Sequence, residues 1–531
     1  MKPNFDKANV TALNEFLSSI DWEKELKDKS IDDSWYFIKN KIKEAQELYV
    51  PNKFINKNRS KPNAIPMDDS LHGLLKSKRF LFKIHKKYNS RTSLYNYNLA
   101  RNKVSRKMRQ MKRNKEDKIA KNIKHNSKAF FQYIAFKTVQ REGISDLQDA
   151  HGILTKDDTD KCEILNSFFS SVFTKEDTND IPEFHYENDS LPFLDTCVIT
   201  INDMETALSK LNPNKSPGPD NLHPKLLKYC SKSLALPLKL LFDCTLSDGK
   251  IPTDCKTAEV RPIFKKGDKS QPGNYRPVSL TSIVCKIMES FIKSVLNKHL
   301  IENNILSKEQ FGFVSGRNTI TQLLVTINDW MEELDKDIPI DCAYMDFRKA
   351  FDAVTHQRLI NKLKAYNIKG PILDWIASFL SDRKQFVKIN NSVSPCLNVT
   401  SGVPQGSVLG PTLFIFFIND LPNTVKASKV KVFADDTKVY NSMSNIESSV
   451  HLQNSIDEMF LWTERWLLRF NKDKCKVLHL GKNNPLHTYN IGPDNDRIQL
   501  ETTDLEKDLG IHIDHNLDFK KHIKSIIKKA S

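Results

Sequence analysis

The run Lys431-Val-Phe-Ala-Asp-Asp-Thr-Lys-Val-Tyr440 decides how this chain is read. Apolar residues alternate ahead of the two aspartates, at Val430, Val432 and Ala434, and a second short alternating run, Lys438-Val-Tyr440, follows them. Period two on both sides of a polar pair predicts a β-hairpin with Asp435 and Asp436 at its turn. Adjacent carboxylates at a tight turn repel each other unless a cation sits between them. Hard divalent ions with oxygen ligands, above all Mg²⁺, suit such a place. A bare surface turn accommodates the same pair, so the hairpin alone leaves both readings open.

A third carboxylate shifts the balance. Pro339-Ile-Asp-Cys-Ala-Tyr-Met345 reads as a buried strand that ends at Asp346, with Phe-Arg-Lys-Ala-Phe351-Asp352 after it. A strand end and a hairpin turn can bring three carboxylates into one small volume. That is the geometry for holding two divalent ions, one on the attacking and one on the leaving oxygen of an in-line phosphoryl transfer. Taken alone, Asp346 would equally serve as a helix N-cap or a surface carboxylate.

The surrounding runs narrow the choice. Gly402-Val-Pro-Gln-Gly-Ser-Val-Leu-Gly-Pro411 follows a strand-like stretch and precedes the apolar Leu413-Phe-Ile-Phe-Phe-Ile418. Upstream stand Arg261-Pro-Ile-Phe-Lys-Lys-Gly-Asp268, Asn274-Tyr-Arg-Pro-Val-Ser-Leu280 and Gln310-Phe-Gly-Phe-Val-Ser-Gly-Arg317. Downstream stand Asn471-Lys-Asp-Lys-Cys475 and Lys507-Asp-Leu-Gly-Ile511. In this order and spacing the set resembles the reverse transcriptases of non-LTR (LINE-type) retrotransposons, especially the jockey-like branch. The resemblance runs from about Phe168 to the C-terminus and rests on six separate motifs.

The resemblance implies an α+β, right-hand polymerase fold with fingers, palm and part of a thumb, behind a mostly helical basic N-terminal region. It implies an RNA-directed DNA polymerase that uses two Mg²⁺ ions, with Mn²⁺ as a substitute, and takes an RNA template, a DNA primer and dNTPs. Asp346, Asp435 and Asp436 would be its catalytic, metal-holding carboxylates, with Asp436 acting less directly. Lys265 and Arg276 match the fingers residues that hold the triphosphate, Arg as a planar fork and Lys as a point charge; Lys266 is the adjacent alternative to Lys265. Phe351, five residues after Asp346, matches the aromatic under the sugar that leaves no room for a 2′-OH, although a core ring is the commoner fate of Phe. Gln405 and Gly406 match the loop that approaches nucleotide and template, where glycine permits close backbone approach; a plain turn fits the same residues. Lys474 matches the late palm lysine and is a candidate general acid for the pyrophosphate leaving group, or a surface lysine. Cys475 follows it where many relatives carry Thr or Ser. His356 and His479 are read as structural.

Composition agrees with a nucleic-acid enzyme. The chain has 531 residues, enough for two or three domains, and a formal net charge of +16. Between Lys76 and His125 there are 18 Lys/Arg and two acids, Glu116 and Asp117, so this segment holds the whole excess. Phe80, Phe82, Tyr88, Tyr95 and Tyr97 are interleaved with those cations, a pattern suited to phosphates and stacked bases; a solvated helical face, or a helix pair with the rings inside, is the alternative. The nine cysteines form no CxxC pair, which argues against a zinc knuckle or a disulfide framework and for a reduced intracellular setting, nucleus or cytoplasm, rather than secretion. No signal-peptide core opens the sequence, and the longest apolar run is too short to span a bilayer.

Four regions are expected: a helical basic stretch over 1–140, a connection over 141–239, fingers and palm over 240–517, and the start of a thumb over 518–531. Helices are expected at Pro224–Tyr229, capped by Asn221 or Asp220, and at 462–470, leading into the strand Lys476–Leu480. No endonuclease fits ahead of residue 140, where the family usually carries one. With the early end of the thumb, this reads as a fragment or a truncated element copy. A group II intron-type or telomerase-like enzyme is the second polymerase reading; a viral RNA polymerase conflicts with Phe351. The non-enzyme alternative is a catalytically incompetent remnant that only binds nucleic acid.

Overall fold

The computed structural model describes residues 2–53, 68–123, 127–137, 143–188 and 190–530. Lys124 and His125, the end of the expected basic segment, lie outside them, as do residues 54–67 and the expected boundary at 140/141.

Two compact units are present, one built from 1–4 and 51–143, the other from 5–50 and 144–531. In the first, the helices Asp69–Tyr88 and Arg91–Lys121 form an antiparallel pair. Asn89, left-handed at φ +43°, ends one helix, and Ser90 opens the other with a capping box. Lys107 meets Asp68 across the pair at 3.2 Å. The buried seam is thin, with Leu71, Ala100 and Val104. Tyr97 turns into the pair against Phe82, 5.2 Å between ring centroids, whereas Tyr88 and Tyr95 stay exposed.

In the second unit, helices Val10–Ser18, Trp22–Leu26 and Ile31–Tyr49 pack on Ser231–Ser247. Leu13, Leu17, Ile38 and Ile42 are buried there, and the Trp35 indole N–H donates to Asp254 at 3.0 Å. The expected grouping of 1–140 as one region therefore parts near residue 50. The reason is amphipathicity: residues 5–50 carry an apolar stripe that needs a core partner, and the apolar 231–247 helix supplies it.

Two five-stranded sheets carry the remainder. One orders Leu397–Val399, Arg383–Ile389, Thr257–Phe264 and Tyr275–Leu280, with Ser392–Val393 paired to the second of these. The other orders Lys429–Phe433, Asp436–Ser442, Ile340–Met345, Lys476–Leu480 and Glu501–Thr503. The chain is thus mixed helix and sheet, as α+β composition implies. Ile340, Cys342, Ala343 and Met345 are buried, the near-continuous apolar pattern of a central strand covered on both faces. The buried helix Gly410–Ile418 belongs to the main core.

Three local expectations differ from the structure. The hairpin turn is Ala434-Asp435, and Asp436 is already the first residue of the returning strand, paired with Phe433. Helix Pro224–Tyr229 is capped by His223, whose Nδ1 accepts from the Lys225 N–H at 3.1 Å, while Asp220 accepts from Leu222 N–H. The helix expected at 462–470 runs over Ile446–Trp466 and stops where Leu467 turns left-handed, φ +56°; the strand Lys476–Leu480 follows as expected. Among the described residues no helix is long and apolar enough to cross a membrane.

Candidate active site

A cleft of about 1230 Å³ opens at the hairpin tip, and Asp346, Asp435, Lys265, Arg276, Phe351, Gln405, Gly406 and Lys474 all line it. Eight Lys/Arg side chains and three aspartates surround this one space. Such a wall attracts polyanions and focuses their charge near the acids.

Register explains how the acids arrive. Thr437 pairs with Met345, so the hairpin strand runs beside the strand that ends at Asp346. The Asp346 backbone carbonyl accepts from Asn471 N–H at 2.7 Å, and Phe347 bridges Phe470. The short turn Lys472–Lys474 then brings the Lys474 ammonium within 3.1 Å of an Asp346 carboxylate oxygen. The Asn-x-x-Lys spacing is therefore one turn that reaches back to the strand end.

Asp436 departs from expectation: it does not line the cleft. Successive strand residues point to opposite faces, and Asp436 begins a strand directly after the turn residue that faces the cleft. It still shares the field of the other two. Surrounding protein atoms, then the charges of Asp435, Asp508 and Asp346, push its carboxyl up to about 6. Burial and the Asp346 charge raise Asp435 above the ordinary carboxylate range.

On the opposite wall Ile263 faces Arg276 across the 257–280 hairpin, and Lys265 N–H donates to the Asn274 carbonyl at 2.8 Å. Lys265 lies two residues beyond Ile263, so Lys265 and Arg276 project from one face as diagonal neighbours. Lys266 lines the cleft as well. Partial burial, then Arg276 and Lys474, hold the Lys265 ammonium below its usual range.

The floor is aromatic. The Phe351 ring is half-buried and stacks on Phe414, centroids 4.5 Å apart and planes at 13°. Phe313 meets its edge at 6.1 Å. Beside it Gln405 Nε2 donates to the buried Asp352 carboxylate at 2.8 Å, and Gly406, at φ +126°, lies so close to the Ser279 carbonyl that a side chain would overlap it. Asp352 and Lys349 were not assigned from sequence; their position beside Phe351 was the available signal. His356 bonds the Gly402 carbonyl at 2.9 Å and buried His479 bonds Asp341 at 2.6 Å, both structural roles.

Among the described residues no three His, Cys, Asp or Glu side chains form a ready metal cage. Two carboxylates sharing a cationic cleft are nonetheless the donor chemistry that suits Mg²⁺, which binds through one or two carboxylates and completes its shell with water and substrate phosphate. Burial first, then the neighbouring carboxylates, disfavours the ionised forms of Asp435 and Asp436, and a cation bound there would favour them. Lys474 occupies part of that role on Asp346.

Comparison with known proteins converges on the same region. Residues 263–513 match the family described as reverse transcriptase (RNA-dependent DNA polymerase). The chain is 31% identical over 347 residues to the probable RNA-directed DNA polymerase from transposon BS of Drosophila melanogaster, covering 62% of this chain and 37% of that protein. It is also 31% identical over 339 residues to the RNA-directed DNA polymerase from mobile element jockey of the same species, covering 62% and 36%. The probable polymerase from transposon X-element of that species is 28% identical over 321 residues, covering 59% and 35%. The chain thus spans just over a third of the length of these relatives. Residues 263–513 are thus similar to reverse transcriptases, and the chain is similar to the RNA-directed DNA polymerases from transposon BS, mobile element jockey and transposon X-element.

Proposed function

We propose that this chain is an RNA-directed DNA polymerase of a non-LTR retrotransposon, copying element RNA into DNA. The observation that carries the reading is the meeting of Asp346 and Asp435 with Lys265, Arg276 and Phe351 around one cleft. In the reaction, the primer 3′-hydroxyl attacks the α-phosphate of a dNTP and pyrophosphate leaves. Positioning and charge neutralisation dominate such a step. Two Mg²⁺ ions, or Mn²⁺, would supply Lewis-acid stabilisation of the attacking and leaving oxygens.

Asp346 and Asp435 are the proposed ligands, with Asp436 adding negative potential from behind the turn. Lys265 and Arg276 grip the triphosphate, and Lys266 lies near enough to share that work. Phe351, braced by Phe414, closes the space a 2′-OH would need. Gln405 and Gly406 face nucleotide and template. Lys474, 3.1 Å from Asp346, partly neutralises that carboxylate and would donate a proton to the leaving pyrophosphate. In the right-hand scheme, the 257–280 hairpin belongs to the fingers, the sheet bearing the aspartates is the palm, and Lys520–Ala530 begins the thumb. The basic helix pair provides a further nucleic-acid surface. The setting is intracellular, nucleus or cytoplasm, where nine unpaired cysteines stay reduced.

Primer extension on poly(rA)/oligo(dT) with dTTP and Mg²⁺ tests the reading. Wild type should incorporate dTMP, and Asp435→Asn should not, while keeping its thermal transition. A folded wild type that binds RNA but extends no primer would favour the nucleic-acid-binding remnant.

A further inference from the structure

We propose that Gln310 is a positioning residue for Asp435, its side-chain amide fixing the turn peptide from which the aspartate projects. This rests on the polymerase reading above and extends it to a residue outside the cleft. Gln310 is 1% exposed, yet it is polar and far from the hairpin in sequence. Its side-chain carbonyl accepts two backbone N–H groups, that of Gly312 at 2.8 Å and that of Ala434 at 2.9 Å. The second of these belongs to the residue immediately before Asp435.

The turn needs a holder. Ala434 sits at φ +58°, a left-handed conformation that an L-residue adopts at an energetic cost. Such conformations persist where the surroundings over-determine them. Here the surroundings are specific. Phe311 N–H donates to the Val432 carbonyl at 2.8 Å, and Val432 N–H to the Glu309 carbonyl at 3.0 Å, so 309–311 lies along the outer strand of the aspartate hairpin. Gly312 lies so close to the turn that a Cβ there would overlap the Ala434 nitrogen. Arg317 ties the loop by donating to the Ser307, Lys308 and Gln310 carbonyls at 3.2, 3.0 and 2.6 Å. Around Gln310, backbone pairing and the Arg317 guanidinium hold the loop, and among the described residues the Gln310 amide is the side chain that accepts the Ala434 N–H of the turn. Removing its oxygen leaves two buried N–H groups without an acceptor and frees Ala434 to leave the left-handed region, moving the Asp435 carboxylate relative to Asp346.

Gln310→Met keeps volume and removes the acceptor, whereas Gln310→Glu keeps the acceptor. Mn²⁺ affinity by electron paramagnetic resonance, without nucleic acid, and kcat and KM for dTTP in primer extension are the readouts. Displacement of a reacting group by about 1 Å can lower turnover roughly a hundredfold, so Gln310→Met should lower kcat by about tenfold or more. It should also weaken Mn²⁺ binding several-fold and leave the KM for dTTP nearly unchanged, and Gln310→Glu should restore most of both losses. If Gln310→Met does not fold, Gln310→Asn, one methylene too short, replaces it with the same expectations. A methionine or asparagine variant that matches wild type in Mn²⁺ affinity and kcat, whatever its melting temperature, overturns the assignment, as does a glutamate variant no better than methionine. A wild type that binds Mn²⁺ but extends no primer overturns the polymerase reading instead.

Discussion

Asp436→Asn should stabilise the metal-free protein at neutral pH while weakening its response to metal. Asp436 titrates near 6 in the folded chain, because crowding by protein atoms and the Asp435, Asp508 and Asp346 charges disfavour its ionised form. An unfolded aspartate titrates near 3.9. The folded chain therefore binds more protons between these values, so stability falls as pH rises from about 4 to about 6. For a carboxyl sealed from water, every tenfold change in proton affinity on folding corresponds to about 1.4 kcal/mol. Asp436 is exposed, so screening reduces the penalty to about 1 kcal/mol at pH 7. In EDTA at pH 7.5 the asparagine variant should melt about 1–2 °C higher than wild type, a difference scaled down from smaller domains. At pH 4 the two should coincide, since the wild-type carboxyl is then largely protonated. With 10 mM MgCl₂ wild type should gain stability by mass action, and the variant should gain less. Differential scanning fluorimetry across pH, with and without Mg²⁺, reads all three. A variant that melts lower than wild type in EDTA at pH 7.5 would refute the account, because Asp436 would then make a favourable contact rather than suffer repulsion.

Other consequences are separable. Phe351→Ala removes the ring stacked on Phe414 and should raise rNTP incorporation relative to dNTP; unchanged discrimination would make Phe351 a core ring only. Lys362 is fully buried, bonded to the Phe417 carbonyl at 2.6 Å and paired with Asp420, with its ammonium 3.7 Å from the Trp466 centroid. Asp420→Ala strands that cation and should lose about 3–5 kcal/mol in denaturant unfolding. Burial holds Lys362 at about 8, below 10.5, so its folded form sheds a proton the unfolded form keeps. Stability relative to Lys362→Met should accordingly rise from pH 8 to 10.5, and a flat difference would contradict this. In the basic helix pair, Lys83, Lys86, Lys87, Arg101, Arg106 and Arg109 are exposed; replacing all six with Gln should weaken RNA binding and lower the log–log slope of its salt dependence by about four to six if each meets a phosphate. An equal slope in filter binding would make the face merely solvated.

Much of the site was legible because its signals are local. Period-two alternation announced the strands around Asp435, and the run from Pro339 announced the strand ending at Asp346. The Lys265 and Arg276 motifs lie on two strands that pair antiparallel, so their shared face follows from register. What was not legible depends on partners distant in sequence. Residues 5–50 joined the larger unit because the apolar 231–247 helix was available to cover them. Asp436 left the cleft because the turn closed one residue earlier than the pair of aspartates suggested, and a one-residue change exchanges strand faces.

From its sequence alone the chain determines which strands and helices form and which charged and aromatic groups they carry, since periodicity and turn chemistry act over a few residues. Only the tertiary structure decides which of those groups share a cleft and what holds them there. Gln310 reaches a peptide 124 residues away, and no local pattern encodes that hydrogen bond, because it exists only once the ladder between 309–311 and the aspartate hairpin has formed.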